Sequence, residues 1–161
     1  MAVNLHDKER DFVEEVGIVF EKTGLPRMSG RVFGWLLISD PPYQSPAELT
    51  EVLQASKGSI STTTRLLIQL GLIERFIIPG VRHDHFCLHR DALPRIIKHG
   101  LEDEIKMLQQ LSEHGLELLK GESSERRKWL EQMHERYTFL DREFPSLMER
   151  CEKQHGKKWA K

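Results

Sequence analysis

The chain has 161 residues, 39% apolar and 30% charged, which suits one globular domain or a small domain with helical extensions. No run approaches the ~20 apolar residues of a membrane span and no signal-peptide core opens the chain, so a membrane or exported protein is not expected and a cytoplasmic one is. A net charge of −1 does not by itself advertise nucleic-acid binding, and Cys87 and Cys151 stand too far apart in sequence to suggest a disulfide framework. From Asp7 to about Thr23, Phe12, Val13, Val16, Val19 and Phe20 mark an amphipathic helix that Gly24 ends. After Leu25-Pro26 a second helix runs to about Ser39; Gly30 and Gly34, four apart among bulky apolar residues, let another helix pack closely against it. Asp40-Pro41-Pro42 breaks it.

Ser45-Pro46-Ala47-Glu48 is a helix start: a capping serine, proline at the first helical position and a glutamate placed for a capping box. The short helix it opens ends near Gln54. Ser56 caps a second one, with Ile60, Thr64, Leu67 and Leu70 inward and Gly71 as the stop. Its outer face carries Lys57, Ser59, Ser61, Thr62 and Arg65, hydroxyls and cations without an acid. Such a face can approach a duplex closely while its cations neutralise phosphates. Two capped helices joined by a tight turn make a helix-turn-helix. Two β-rich runs follow, Ile73 to Ile78 and Arg82 to Leu88, around Pro79-Gly80-Val81, so the unit is a winged helix. Arg82 and His83 near the hairpin tip are placed to reach phosphates or a minor groove. Residues 54–90 hold five Lys/Arg against two Asp/Glu, the one local positive excess.

Asp91 is expected to cap a long helix, Ala92 to Lys120, with Pro94 in its first turn and Ile97, Leu101, Ile105, Leu108 and Leu111 as its stripe. Gly121 stops it and Ser123 or Ser124 caps the last helix. There Leu130, Met133, Tyr137, Leu140, Phe144, Leu147 and Cys151 form a heptad seam, with a kink or restart expected at Pro145. Two long apolar stripes exceed what one small wing domain can bury, which points to a second copy of the chain. The tail after Gln154, with Lys157, Lys158 and Lys161, is expected to fray. The reading is a mainly α protein with a small β-hairpin, a winged helix-turn-helix flanked by long N- and C-terminal helices forming a dimerisation region. Its segments are residues 1–24, which join that region, 25–90 for DNA binding and 91–161 for dimerisation.

The runs FVEEVGIVFEKTGLPRMSGRVFGWLLISDPP, SPAELTEVLQASKGSISTTTRLLIQLGLIER and IPGVRHDHF resemble the GbsR-like branch of the MarR winged-helix transcription regulators. The resemblance covers roughly residues 10 to 120. It implies a ligand-responsive repressor, a homodimer whose first and last helices assemble and whose two winged helices read a pseudo-palindromic operator. It also implies an apolar or lipid-like effector in a cavity between the two regions, with Phe12, Val16, Phe20, Leu101, Ile105 and Leu108 as wall candidates that also suit plain core.

Other readings carry less. His83, His85, Cys87 and His89 share one parity of a strand and so resemble a metal-ligand set, but His83 and His89 would lie ~20 Å apart, too far for one ion. The expectation is a solvated wing face, no metal and no cofactor. Cys151 suits a small seam residue better than a redox switch. Glu102, Asp103 and Glu104 point in different directions from a helix and no nucleophile accompanies them, so an enzyme is not expected. The alternatives to a DNA-binding regulator are a winged-helix protein-interaction module and a metal- or redox-responsive regulator.

Overall fold

The first helix starts as its sequence directs. In the structure, a computed structural model that describes residues 6–156, Glu9 accepts a hydrogen bond from the His6 N–H at 3.0 Å and closes the first turn of α1 (Asp7–Lys22). The chain divides into two compact units between Arg95 and Ile96.

In the first unit α1 lies against α2 (Arg27–Ile38). Their contact is set by glycine: a Cβ on Gly30 would stand 2.5 Å from the Val16 carbonyl oxygen, and one on Gly34 2.9 Å from Val16 Cβ. The missing side chains let two backbones meet, as their four-residue spacing suggested. Val13, Phe20, Val32 and Phe33 fill the seam, with the two phenyl rings 5.4 Å apart. Beyond α2 the chain turns at Asp40-Pro41-Pro42, and Gln44 pins the turn. Its amide accepts from Trp35 Nε1 at 3.1 Å and donates to the Pro41 carbonyl at 3.1 Å.

The helix-turn-helix follows, α3 (Pro46–Val52) and α4 (Lys57–Gln69). Ser45 and Glu48 make the reciprocal capping bonds, Glu48 N–H to Ser45 Oγ at 3.2 Å and Ser45 N–H to the Glu48 carboxylate at 2.6 Å. The turn passes through Gln54 in the left-handed region (φ 50°), and the Ala55 N–H reaches back to the Thr50 carbonyl. Leu49, Leu53, Ile60 and Leu67 are fully buried between the two helices and the sheet. Each side chain withdrawn from water in this way contributes about 1.5–3 kcal/mol.

The wing differs from its sequence reading in three ways. Its ladder is shorter, β2 (Ile73–Phe76) against β3 (His85–Leu88), because Pro79-Gly80 needs room for a turn of its own. There the Val81 N–H bonds the Ile78 carbonyl and Gly80 takes φ 85°, the geometry of a type II turn. A strand absent from the reading, β1 (Tyr43–Gln44), completes an antiparallel sheet of order β1-β3-β2, with Tyr43 opposite Cys87 and Gln44 opposite Phe86. The four residues read as one solvated face also separate. His85 is buried under the edge of the Tyr43 ring, His83 is exposed and lies outside the strand, and His89 Nδ1 accepts from the Asp91 N–H in the turn beyond it.

The long helix expected from Ala92 to Lys120 is interrupted. It runs as α5 (Ala92–Ile97), a π-helical turn at Lys98–Glu102, and α6 (Asp103–Leu118). The second unit is a helical hairpin of α6 and α7 (Ser124–His155), with Gly121 (φ 85°) in the connection and Ser123 as the N-cap. Gly115 makes room for Leu130, and Ser112, fully buried, meets His134 Nδ1 at 3.2 Å. Helix α7 does not restart at Pro145. The proline removes one backbone donor on an exposed face, and the neighbouring Phe144 is buried. Of the seam, Leu140 and Leu147 stay exposed while Leu130, Met133, Tyr137 and Cys151 are half-buried. Lys157, Lys158 and Lys161 lie outside the described residues.

Candidate nucleic-acid interface

Helix α4 is fixed on one side and open on the other. Ile60, Thr63, Thr64 and Leu67 are buried, and the Thr64 hydroxyl donates back to the Ile60 carbonyl at 2.9 Å, so it is spent within the helix. With that face anchored, helical spacing turns Lys57, Ser61, Thr62 and Arg65 outward, and all four are exposed. Ser59 is half-buried. The Ser56 hydroxyl accepts from the Ser59 N–H at 3.1 Å, which closes the N-terminus while leaving its own proton free to donate. The first turn contains no acid, so the positive end of the helix dipole is uncompensated.

Lys57, Ser61 and Arg65, one turn apart, line a groove of about 530 Å³ whose other walls are Pro46, Ala47 and Thr50 of α3 and Arg75, Asp84 and Phe86 of the wing. Arg75 was not among the residues picked out from the sequence. Its register opposite Phe86 brings it beside α4, and Asp84 Oδ2 lies 3.7 Å from its Nε. Only strand pairing reveals that position. Gln69, four residues beyond Arg65 on the same helix, was also missed. Arg82 and His83 are not among the residues that line this groove; both are exposed on the stretch that joins the wing strands.

Two groups in this unit have shifted acidities. Burial works to raise the Glu48 carboxyl, but the backbone and hydroxyl bonds from Ser45, with the imidazoles of His85 and His83, outweigh it and hold Glu48 below the usual carboxylate range. Burial, reinforced by the charge of Glu74, pushes the Cys87 thiol up. A thiol shifted this way is a poor nucleophile, which argues against redox sensing at the wing. Among the described residues no cluster of three or more His, Cys, Asp or Glu could hold a metal ion. Glu102 is bonded to Lys106 at 2.6 Å.

The effector-wall candidates distribute as follows. Phe20 is core of the first unit and Ile105 of the second; Val16 and Leu108 are half-buried; Phe12 and Leu101 are exposed.

Comparison with known proteins matches this architecture. Residues 23–80 fit the MarR family model, and residues 91–154 fit the model described as MmpR5-like MarR family transcriptional regulator. The HTH-type transcriptional regulator MmpR5 of Mycobacterium tuberculosis (strain ATCC 25618 / H37Rv) is 38% identical over 134 residues, 81% of this chain and 79% of that protein. The chain belongs to the MarR family of transcriptional regulators. A crystal structure of a transcriptional regulator shares the fold as well, with a TM-score of 0.68 at 34% identity over 91% of this chain and 99% of that one. The MarR assignment agrees with the winged helix-turn-helix, and its two family matches fall on either side of the wing's second strand. Among the described residues no helix is long and apolar enough to cross a membrane.

Proposed function

We propose that this MarR-family chain is a ligand-responsive transcription repressor, not an enzyme, acting in the cytoplasm as a homodimer on a pseudo-palindromic duplex operator. The observation that carries the DNA-reading part is the outer face of α4, where exposed hydroxyls and cations without an acid border a groove closed by the wing. Ser61, Thr62 and Arg65 face base edges in the major groove. Ser56, Lys57 and Ser59 at the helix N-terminus hold phosphate, and Arg82 and His83 anchor the wing on the backbone or in the minor groove.

Dimerisation is supported by the apolar side chains of the helical hairpin that α6 and α7 leave uncovered, among them Met107, Leu111, Trp129, Leu140 and Leu147. Exposure of this kind on α1, at Ile18 and Val19, supports a share for the first helix in the same assembly. An apolar or lipid-like effector is supported by the family resemblance. To release DNA it must bind the DNA-incompetent arrangement better than the competent one.

The test is to sequence genomic DNA fragments retained by the purified protein. Enrichment of a short inverted repeat, bound with a steep dependence on salt, is the expected result. Retention of no preferred sequence, or binding indifferent to salt, would leave a winged-helix protein-interaction module in its place.

A further inference from the structure

The tip of the wing is apolar. Beyond Phe76, where the ladder of β2 ends, Ile77 is 82% exposed and Val81 37%, on either side of Pro79-Gly80, which is exposed as well. Ile77 at that exposure adds nothing to the core of its unit. The turn between them is stiff, since the proline ring fixes its own φ and Gly80 takes φ 85° without strain, so binding has little order to impose on the tip. Its surroundings favour nucleic acid over protein. Arg82 and His83 follow Val81, both exposed, and Asp84, the acid of the stretch, has its Oδ2 3.7 Å from Arg75 Nε. The apolar tip is thus bordered by cations, which suits a surface that meets phosphates.

The strands that carry the tip also wall the groove beside α4, through Arg75 and Phe86. A duplex read by α4 in its major groove therefore meets the tip at the adjoining minor groove, which at ~6 Å is too narrow for a two-stranded ribbon but admits a side chain. We infer that Ile77, with Val81, is an apolar wedge that enters this minor groove and partly unstacks one base step. The operator is then selected at that step for deformability, as a pyrimidine–purine step such as TA or CA, and not by a hydrogen bond to a base edge. Arg82 and His83 hold the phosphates beside the opened step. The inference rests on the DNA-reading role given to α4 and the wing above.

The test uses the operator recovered from the retained fragments, with 2-aminopurine, which brightens when it leaves the base stack, placed in turn at adenines flanking the bases read by α4. Wild type is expected to brighten the probe at one flanking step, and to lose about tenfold in affinity when that step is replaced by a stiff one. The double variant Ile77→Ser, Val81→Ser changes only exposed side chains, so its fold should survive. It is expected to bind the operator more weakly, without brightening the probe and without preference at that step. Ile77→Leu should keep both effects, whereas Arg82→Ala should weaken every duplex alike and still brighten the probe. Wild type bound to its operator with no flanking probe brightened overturns the wedge, as does brightening undiminished in the double variant. A wild type that prefers no duplex sequence overturns the DNA-reading role itself, so the two failures are distinguishable.

Discussion

Substituting Gly30 by alanine would put a methyl group where α1 already is. The new Cβ would stand 2.5 Å from the Val16 carbonyl oxygen and 2.6 Å from the Gly17 Cα, against the 3.4 Å or more of ordinary contact. All the opposing atoms are backbone, so no side chain can rotate away and the helices must separate by about 1 Å. Overpacking of this kind costs roughly 1–3 kcal/mol, at the upper end when backbone must move, while alanine returns about 1 kcal/mol of helix propensity. The net expectation is a loss of about 2 kcal/mol, or about 4–8 °C in the melting temperature of a protein of this size. Arg31, next in sequence to Gly30, grips the end of α3, so the shift also disturbs the seat of the reading head. Thermal and urea unfolding of the isolated protein, followed by circular dichroism, provide the assay. Gly58→Ala is the control, since its Cβ would meet only Ser56 Oγ at 4.0 Å, and it should stabilise α4 slightly. A Gly30→Ala protein as stable as wild type would refute the claim that glycine sets the approach of α1 to α2.

Leu140 is 42% exposed on the hairpin, so Leu140→Glu should leave the fold of the chain intact yet place an unpaired charge in the dimer contact. Sedimentation should then show a monomer and operator affinity should collapse, whereas a dimer that persists refutes the assembly. Glu48, whose folded acidity is shifted below the ordinary range, contributes stability that is full at neutral pH and is lost as pH falls through its folded pKa. The difference in urea midpoint between wild type and Glu48→Gln should therefore shrink on acidification, and a difference that grows contradicts the capping role. Cys87 should alkylate with iodoacetamide more slowly in the folded protein than in the urea-unfolded chain at the same pH, and faster reaction would reopen redox sensing at the wing.

Much of the reading head was legible because its signals are local. Ser45 and Glu48 announce their capping box within four residues, Ser56 announces the start of α4, and Gly71 its end. Gly30 and Gly34 declared a close helix contact by their spacing, although only the fold shows that the partner is α1. What the sequence hid depends on distant pairing. β1 has two residues, too few for an alternating pattern, and exists only because β3 runs beside it. Burial of His85 follows from the same pairing, since the Tyr43 ring that covers it comes from 42 residues upstream. Arg75 enters the groove through strand register, and the π-helical turn at Lys98–Glu102 breaks the stripe read from the sequence, so that Ile97 and Leu101 are exposed while Ile105 is buried. At Pro145 the restart does not occur, since this local breaker is accommodated within a 32-residue helix.

Whether α4 reads bases and not merely charge is answered most directly by one titration of operator and unrelated duplexes over a range of salt, with wild type, Arg65→Ala and Lys57→Ala. Arg65 is exposed on the groove, so its loss should not unfold the protein. The expected result is that Arg65→Ala loses roughly 1–3 kcal/mol on the operator and little on other sequences. Lys57→Ala should weaken every duplex alike and reduce the salt slope by about one unit. Operator affinity and sequence preference unchanged in Arg65→Ala would contradict base reading by this face of α4.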